Sequence, residues 1–430
     1  MARNVFKSPK GIKDVLPEEQ PFWLLIEEKI RGIVKAYGYQ RLTLPVFEDT
    51  GLYARGVGQG TDIVEKEMYT FEDKGGNSIT LRPEFTAGVM RSYIQNGMAN
   101  MPNPVKVWSF GPVFRYERPQ AGRFRQHTQF NVEALGEQDP ALDFEIMSIA
   151  YQLYNELGFS SLNFQINSIG CPQCRPAFLE ALKAYYAARG AEVCEDCKRR
   201  IQSNPLRVLD CKRAQCQPVI ENAPAISEHL CDECRDHFAE LRSYLDSAGY
   251  EYQINNRLVR GLDYYTKTVF EVWAQGIGAQ NAVCGGGRYD GLAEALGGKS
   301  TPGVGFASGV ERIVLTLQAQ ERELAEQDNP LVFFALQDQA AKPWAVQTVS
   351  DLRKRHIPAV MAFGSRSLKS QLREANRRGA ACTVILGQQE MENKTAQVKY
   401  MQEQKTEDVP FSGIVDFFVS YYGTASGKKA

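Results

Sequence analysis

The sequence predicts an α+β core, an antiparallel sheet with helices, that is interrupted by a helical insertion and followed by a small α/β module. Three observations predict it. Extended apolar segments and amphipathic helical segments fill residues 18–168, and strand character returns at residues 268–273. Residues 171–249 have a different texture: rich in Cys, Arg, Glu and Ala, mostly helical in propensity, and interrupted by Asn204-Pro205 and Ala223-Pro224. From Leu331 the pattern alternates strand, helix, strand, helix. The expected division is a core of residues 1–170 and 250–320, an inserted domain of 171–249, and a C-terminal α/β domain of 330–420.

Taken in order, residues 18–37 read as an amphipathic helix. Phe22, Ile26, Ile30, Val34 and Tyr37 recur at spacings of four and three, and Gly38 is a natural stop. Residues 41–47 read as extended, with Pro45 inside the run. Proline cannot donate to a ladder, so this is an edge or interface strand. A short strand at 78–83 precedes a helix at 84–94. Residues 105–117 and 128–135 are two extended apolar runs, joined by the Arg-rich, Gly-containing stretch 118–127 as a hairpin-like loop. An amphipathic helix at 144–157 and a strand at 162–168 lead into the insertion. After residues 268–273 comes the triplet Gly285-Gly286-Gly287, then helical periodicity over 308–317. The polar run 318–329 reads as a linker. Beyond it, strands are expected at 332–336, 359–362 and 382–386, and helices at 342–354 and 368–378.

Composition excludes several classes. In 430 residues, 43% are hydrophobic and 23% charged, as in ordinary globular chains and unlike disordered or fibrous ones. No apolar run approaches the roughly 18–20 residues of a membrane span. The N-terminal Lys and Arg have no apolar stretch behind them, so no secretory signal is expected. Lys+Arg 50 against Asp+Glu 51 leaves a formal net charge of −1, with no basic excess over the whole chain. A local basic patch on a neutral chain remains compatible with a nucleic-acid partner.

Arginines carry the strongest chemical signal. Arg115 ends a strand, with Glu117, Arg118, Arg123 and Arg125 in the loop after it. Arg260 precedes Gly261-Leu-Asp-Tyr-Tyr265, and Arg312 lies in a Gly-rich strand-to-helix turn. A guanidinium offers paired donors with a fixed charge, which suits phosphate oxygens. Arg115, Arg260 and Arg312 stand out from solvated surface arginines because each is embedded in apolar, Gly-rich sequence. Cysteines carry the second signal. Cys171-x-x-Cys174, Cys194-x-x-Cys197, Cys211-x₄-Cys216 and Cys231-x-x-Cys234 have ligand spacing for tetrahedral thiolate zinc. Two four-cysteine structural Zn²⁺ sites would use all eight, with the combination of pairs open; reduced, non-ligating thiols are the other reading. Lys369, Arg373 and Arg377 are four apart and share one helical face behind Arg366, a candidate stripe for RNA phosphates. Lys198, Arg199 and Arg200 in the insertion form a second basic run.

The order of these pieces resembles the class II aminoacyl-tRNA synthetases, and among them the histidine-specific branch. Thr43-Leu-Pro-Val-Phe-Glu-Asp49 is similar to motif 1. Phe114-Arg115-Tyr-Glu117, with the loop to Gln129, is similar to motif 2. Gly303-Val-Gly-Phe-Ala-Ser-Gly-Val-Glu-Arg312 is similar to motif 3. Leu258-Val-Arg-Gly-Leu-Asp-Tyr-Tyr265 and Cys284-Gly-Gly-Gly-Arg-Tyr-Asp290 resemble segments particular to the histidine branch. The class I signatures are absent from the sequence.

The resemblance implies a cytoplasmic homodimer, paired through motif 1 and without membrane association. It would attach L-histidine to tRNA(His) through a histidyl-adenylate, with ATP and Mg²⁺. It assigns Arg115 to the α-phosphate and the substrate carboxylate. Arg260 is assigned to the α-phosphate from the other side, Arg312 to adenine and the γ-phosphate, Glu117 to the adenine side, and Arg123 to the phosphate tail. Glu84, Thr86 and Gln129 fall to the amino-acid backbone, Glu133 and Tyr265 to the imidazole, and Tyr264 to the pocket wall. The C-terminal domain is the implied anticodon binder. One departure is Phe85, where the family is associated with glycine; its side chain must point away from the substrate, or the pocket has another shape. A regulatory paralogue of ATP phosphoribosyltransferase, catalytically inactive, is the alternative. Such proteins typically lack the C-terminal module, which is present here.

Overall fold

The computed structural model describes residues 6–120, 122–159, 162–274, 282–320, 331–403 and 405–426. They divide into two compact units, Met1–Arg322 and Glu323–Ala430. The expected linker at 318–329 lies largely outside the described residues.

The first unit begins with the helix Gln20–Ala36, which buries Ile26, Ile30, Ile33 and Val34 and ends before Gly38 in the left-handed region. The expected extended run 41–47 divides in two. Strand β1 (Gln40–Arg41) pairs parallel with a later strand, and β2 (Phe47–Asp49) joins β3 (Tyr69–Glu72) and β4 (Ser78–Leu81) in a small antiparallel sheet, order β2-β4-β3. Pro45 lies between the two pieces and cannot supply the N–H a continuous ladder needs.

The main sheet has eight strands. To β1 it adds β5 (Val105–Phe114), β6 (Gln126–Leu135), β7 (Asn163–Ser168), β8 (Tyr252–Ile254), β9 (Thr266–Trp273), β10 (Ala282–Arg288) and β11 (Gly303–Gly309). The order is β1-β5-β6-β11-β10-β9-β7-β8. Its six central strands are antiparallel, while β1 on β5 and β8 on β7 are parallel, so the sheet is mixed rather than wholly antiparallel. The hairpin β5–β6 runs in unbroken register from Val105 opposite Leu135 to Phe114 opposite Gln126. One face of the sheet is apolar. Phe130, Val132, Phe270, Val272, Val304 and Phe306 pack there under the helices Gln20–Ala36, Pro140–Glu156 and Val310–Ala319.

Residues 171–249 are helical as expected, with helices Arg175–Ala187, Glu195–Ser203 and Asp232–Ser247. Their own small core holds Phe178, Leu182, Tyr186, Val208 and Ile220. The helix Asp232–Ser247 instead feeds Phe238, Leu241 and Leu245 into the main core. Lys198, Arg199 and Arg200 pair with Glu195, Asp196 and Asp62, so the basic run is locally neutralised.

The second unit is a five-stranded sheet of β12 (Leu331–Leu336), β13 (Ala359–Met361), β14 (Ala380–Leu386), β15 (Thr395–Tyr400) and β16 (Thr406–Pro410), order β13-β12-β14-β15-β16. β13, β12 and β14 are parallel, and β15 and β16 add antiparallel. Among the described residues no helix is long and apolar enough to cross a membrane.

Candidate functional site

Strand register builds the site. Side chains alternate across a sheet, so residues in step face the same way. On β6 these are His127, Gln129, Asn131 and Glu133. Opposite them on β11 stand Gly309, Ala307 and Gly305. Gly285 and Gly287 continue the rows on β10, and Glu271 follows on β9. Polar side chains are thus lined up on one strand, and its neighbours have almost none to block approach. The glycines are sterically required. A Cβ on Gly305 would collide with the Glu133 carboxylate, one on Gly286 with Phe306, and one on Gly285 with the Arg260 guanidinium. Residues 282–288 and 303–309 form strands despite the low strand propensity of glycine, where the sequence alone marked only a triplet and a turn. Gly305→Ala is expected to push Glu133 aside, an overpacking cost of about 1–3 kcal/mol. A lowered Tm would be its signature; an unaltered Tm would refute the packing argument.

Over this face lies a cleft of about 640 Å³. Glu84, Thr86, Arg115, Glu117, Arg123 and Gln129 line it, as do Arg260, Tyr264, Tyr265 and Arg312. Arg118 and Arg125 are not among its lining residues; the Arg125 guanidinium stacks 3.8 Å over the Tyr116 ring. Glu133 sits just beneath the lining, behind Thr86 and Gly305, and is 1% exposed.

The acidic groups are tightly held. Glu84 accepts from the backbone N–H groups of Thr86 (2.6 Å) and Ala87 (2.9 Å), at the start of the helix Thr86–Gln95. Burial nevertheless raises its carboxyl above the ordinary range. Glu133 accepts from Thr86 Oγ1 (2.5 Å), from Asn131 Nδ2 (3.0 Å) and from the Tyr289 hydroxyl. Those donors favour its charge, but burial outweighs them and pushes its pKa up to about 7. Gln129 lines the cleft, and its Oε1 is buried with no hydrogen-bond partner. His127 is held neutral, its pKa pushed down to about 3 by burial and then by the Arg115 charge.

The cationic groups surround this pocket. Arg115 Nε donates to the Pro83 carbonyl at 2.9 Å. Arg260 Nη1 donates to Glu271 at 2.6 Å, while its buried Nε has no partner. Glu271 also accepts from Trp273 Nε1 at 3.0 Å. Arg312 Nη1 donates to the Ala282 carbonyl at 2.8 Å, and Arg123 pairs with Glu117 at 3.3 Å. Glu84 on one side and Arg115, Arg123, Arg260 and Arg312 on the other, lining one cleft, suit a ligand that is cationic at one end and polyanionic at the other.

Comparison with known proteins decides the family. A family model described as histidyl-tRNA synthetase matches residues 11–313, and one described as an anticodon binding domain matches residues 328–421. The chain belongs to the histidyl-tRNA synthetase family. It is 47% identical over 411 residues to a histidine–tRNA ligase of Dehalococcoides mccartyi, covering 96% of this chain and 98% of that one. With a histidine–tRNA ligase of Desulfitobacterium hafniense it shares 50% identity over 384 residues, covering 89% and 90% of the two chains. The solved structure of apo S. aureus histidyl-tRNA synthetase superposes with a TM-score of 0.81 at 37% identity, over 96% of this chain and 100% of that one.

Within this family member, Phe85 resolves simply. It is buried, packs in the cluster with Leu44, Val89 and Val113, and carries the Arg82 guanidinium 4.4 Å over its ring. It does not line the cleft. The eight clustered cysteines gather into two sets, Cys171, Cys174, Cys231 and Cys234, and Cys194, Cys197, Cys211 and Cys216, each with its sulfurs within 4.8 Å of one another and able to hold a metal ion. The outer pairs therefore combine with each other, and so do the inner pairs. Neighbouring Sγ–Sγ separations are 3.7–3.9 Å, too long for disulfides. In the second unit Lys369, Arg373 and Arg377 are exposed on the helix Leu368–Arg377, while Arg366 is tied to Glu374 at 2.5 Å.

Sequence reasoning missed a buried network. Arg288 is fully buried; its Nε donates to Asp143 at 2.7 Å, and Nη1 and Nη2 donate to the carbonyls of Glu137 and Asp139 at 3.0 Å. His237 Nε2 lies 3.3 Å from the other Asp143 oxygen. Arg288 and Tyr289 fall in the histidine-branch segment 284–290, so that segment was their signal; Asp143 and His237 had none. Arg207 and Lys212, from the insertion, also line the cleft and carry no local sequence mark.

Proposed function

We propose that the protein joins L-histidine to tRNA(His) in two steps at the β6–β11–β10 face. First, a histidine carboxylate oxygen attacks the α-phosphorus of ATP, the bond to the bridging oxygen breaks, and pyrophosphate leaves with its electron pair. Then a ribose hydroxyl at the tRNA 3′ end attacks the adenylate carbonyl and AMP leaves. A carboxylate is already a nucleophile at neutral pH, so the residues need only position and neutralise. ATP enters as its Mg²⁺ complex.

The observation that carries this reading is the pairing of two ligand sets in one cleft. Glu84, Thr86 and the unpaired Gln129 Oε1 suit the α-ammonium, with Glu133 and Tyr265 for the ring nitrogens and Tyr264 as wall. Arg115 and Arg260 suit the α-phosphate from two sides, Arg312 adenine and the γ-phosphate, Glu117 the adenine side, and Arg123 the phosphate tail. We assign residues 1–170 and 250–320 to the catalytic core, 171–249 to the insertion and 330–420 to the anticodon domain, with Arg366, Lys369, Arg373 and Arg377 facing tRNA phosphates. The exposed apolar side chains Phe47 and Phe71 on the small sheet, with Val46 just before it, favour a homodimer through residues 43–49. We assign the chain to the cytoplasm. A structural Zn²⁺ fits each four-cysteine set, because Zn–S bonds of about 2.3 Å put the corners of a tetrahedron about 3.8 Å apart.

Pyrophosphate exchange with each of the twenty amino acids tests the reading. Exchange with histidine alone is expected. No exchange with histidine would overturn it in favour of a regulatory paralogue.

A further inference from the structure

We infer that the outer four-cysteine site positions the histidine-binding segment of the enzyme, with Arg175 as the positioning residue that transmits it. This rests on the zinc reading above. Cys171 and Cys174 close a loop directly after β7, where Gly170 has φ +68° and a Cβ on it would meet Cys174 Sγ at 2.8 Å. Arg175, next to Cys174, turns back across that loop. Its Nε donates to the Ile169 carbonyl at 3.1 Å, and its Nη2 to the carbonyls of Gly170 (3.1 Å) and Tyr265 (2.6 Å). Tyr265 is the residue assigned to the substrate imidazole.

The other half of the site holds the same segment from its far side. Glu233, inside Cys231-x-x-Cys234, accepts from Lys267 Nζ at 2.7 Å. Lys267 has φ +48° and exchanges backbone hydrogen bonds with the loop: its N–H donates to Gly170 O at 2.9 Å, and Ile169 N–H donates to its carbonyl at 2.8 Å. A non-glycine residue in that region persists only where its surroundings over-determine it. Ile169 completes the grip by packing with Leu258, Tyr265 and Val269. One metal with four thiolates would therefore fix two chain segments, one bonded to the Tyr265 carbonyl and the other to Lys267 two residues on. The residues flanking the inner-site cysteines make no such bond to Tyr265 or Lys267 among the described residues; the nearest link is Asn204, at the end of the helix Glu195–Ser203, whose Nδ2 donates to Asp263 at 3.0 Å.

The test is zinc content and steady-state pyrophosphate exchange on the full-length protein. The wild type is expected to hold two zinc ions per chain. Arg175→Ala should keep both and raise the histidine KM about tenfold while leaving the ATP KM unchanged. Arg175→Lys, which keeps the charge and some donors, should recover part of the loss and serves if the alanine variant does not fold. Cys231→Ser should lose one zinc and raise the histidine KM alike; Cys197→Ser should lose one zinc and leave it unmoved. Cobalt substitution gives a readout independent of activity, since thiolate-to-cobalt absorption should halve in either serine variant. Two zinc ions with an unchanged histidine KM in the Arg175 variants would overturn the positioning role and leave the zinc reading standing. A wild type without zinc would overturn both.

Discussion

Arg260→Ala is expected to lower the rate of histidyl-adenylate formation by roughly 10²–10³, the cost of losing one donor to a developing oxyanion. The geometry explains why the loss falls on chemistry rather than on folding. Arg260 is held against Glu271 at 2.6 Å, in space vacated by the missing Cβ of Gly285, and its buried Nε has no protein partner. Its charge survives burial because Tyr265 and Glu271 lie close by and together outweigh the desolvation that disfavours it. Arg260→Lys is expected to restore only part of the rate, since an ammonium cannot donate to Glu271 and to phosphate with the same fixed fork. Single-turnover adenylate formation, followed by rapid quench, measures the effect. Near-normal adenylation in the alanine variant would remove Arg260 from the transition state.

Much of this site was legible because charge embedded in apolar, Gly-rich sequence is rare. Arg115, Arg260 and Arg312 could be picked out that way, and all three line one cleft. The β5–β6 hairpin was equally legible, because two apolar runs flanked a polar loop. What the sequence hid falls into two kinds. The glycine strands β10 and β11 lack the branched side chains that mark a strand, because the site needs bare backbone where they run. Long-range polar partners leave no local trace. Arg288 meets Asp143 across 145 positions, and Tyr289 meets Glu133 across 156. The cysteine pairs show the same limit. Spacing defined each pair, but only the fold could bring the first pair to the last, by returning the chain from the insertion to the end of β7. The neutral net charge concealed the arginine concentration altogether, since an average over 50 basic and 51 acidic residues reports no placement.

Glu133→Gln is expected to raise the histidine KM about 10–100-fold at pH 8, as befits a lost charge-assisted hydrogen bond, with the ATP KM unchanged. The sharper expectation concerns pH. Burial holds the Glu133 carboxyl at about 7, above the usual carboxylate range. The group is therefore ionised above pH 7 and protonated below it. The ionised form accepts an N–H from a neutral imidazole more strongly than the protonated acid does, so histidine binding weakens as pH falls through 7. The substrate imidazole, with an ordinary pKa of about 6.5, adds a second loss below that. The wild-type plot of log(1/KM) against pH should then bend twice on the acid side. In Glu133→Gln only the lower bend, belonging to free histidine, should remain. The ratio of mutant to wild-type KM should shrink from pH 8 to pH 6, because acid already neutralises the wild-type carboxyl. Amino-acid specificity should loosen in parallel. A site that hydrogen-bonds both ring nitrogens excludes apolar side chains through its own unpaired groups, and an amide facing the ring weakens that exclusion. A KM ratio constant from pH 6 to pH 8 would show that Glu133 does not face the imidazole as a carboxylate, and would return it to a structural role beneath Thr86 and Tyr289.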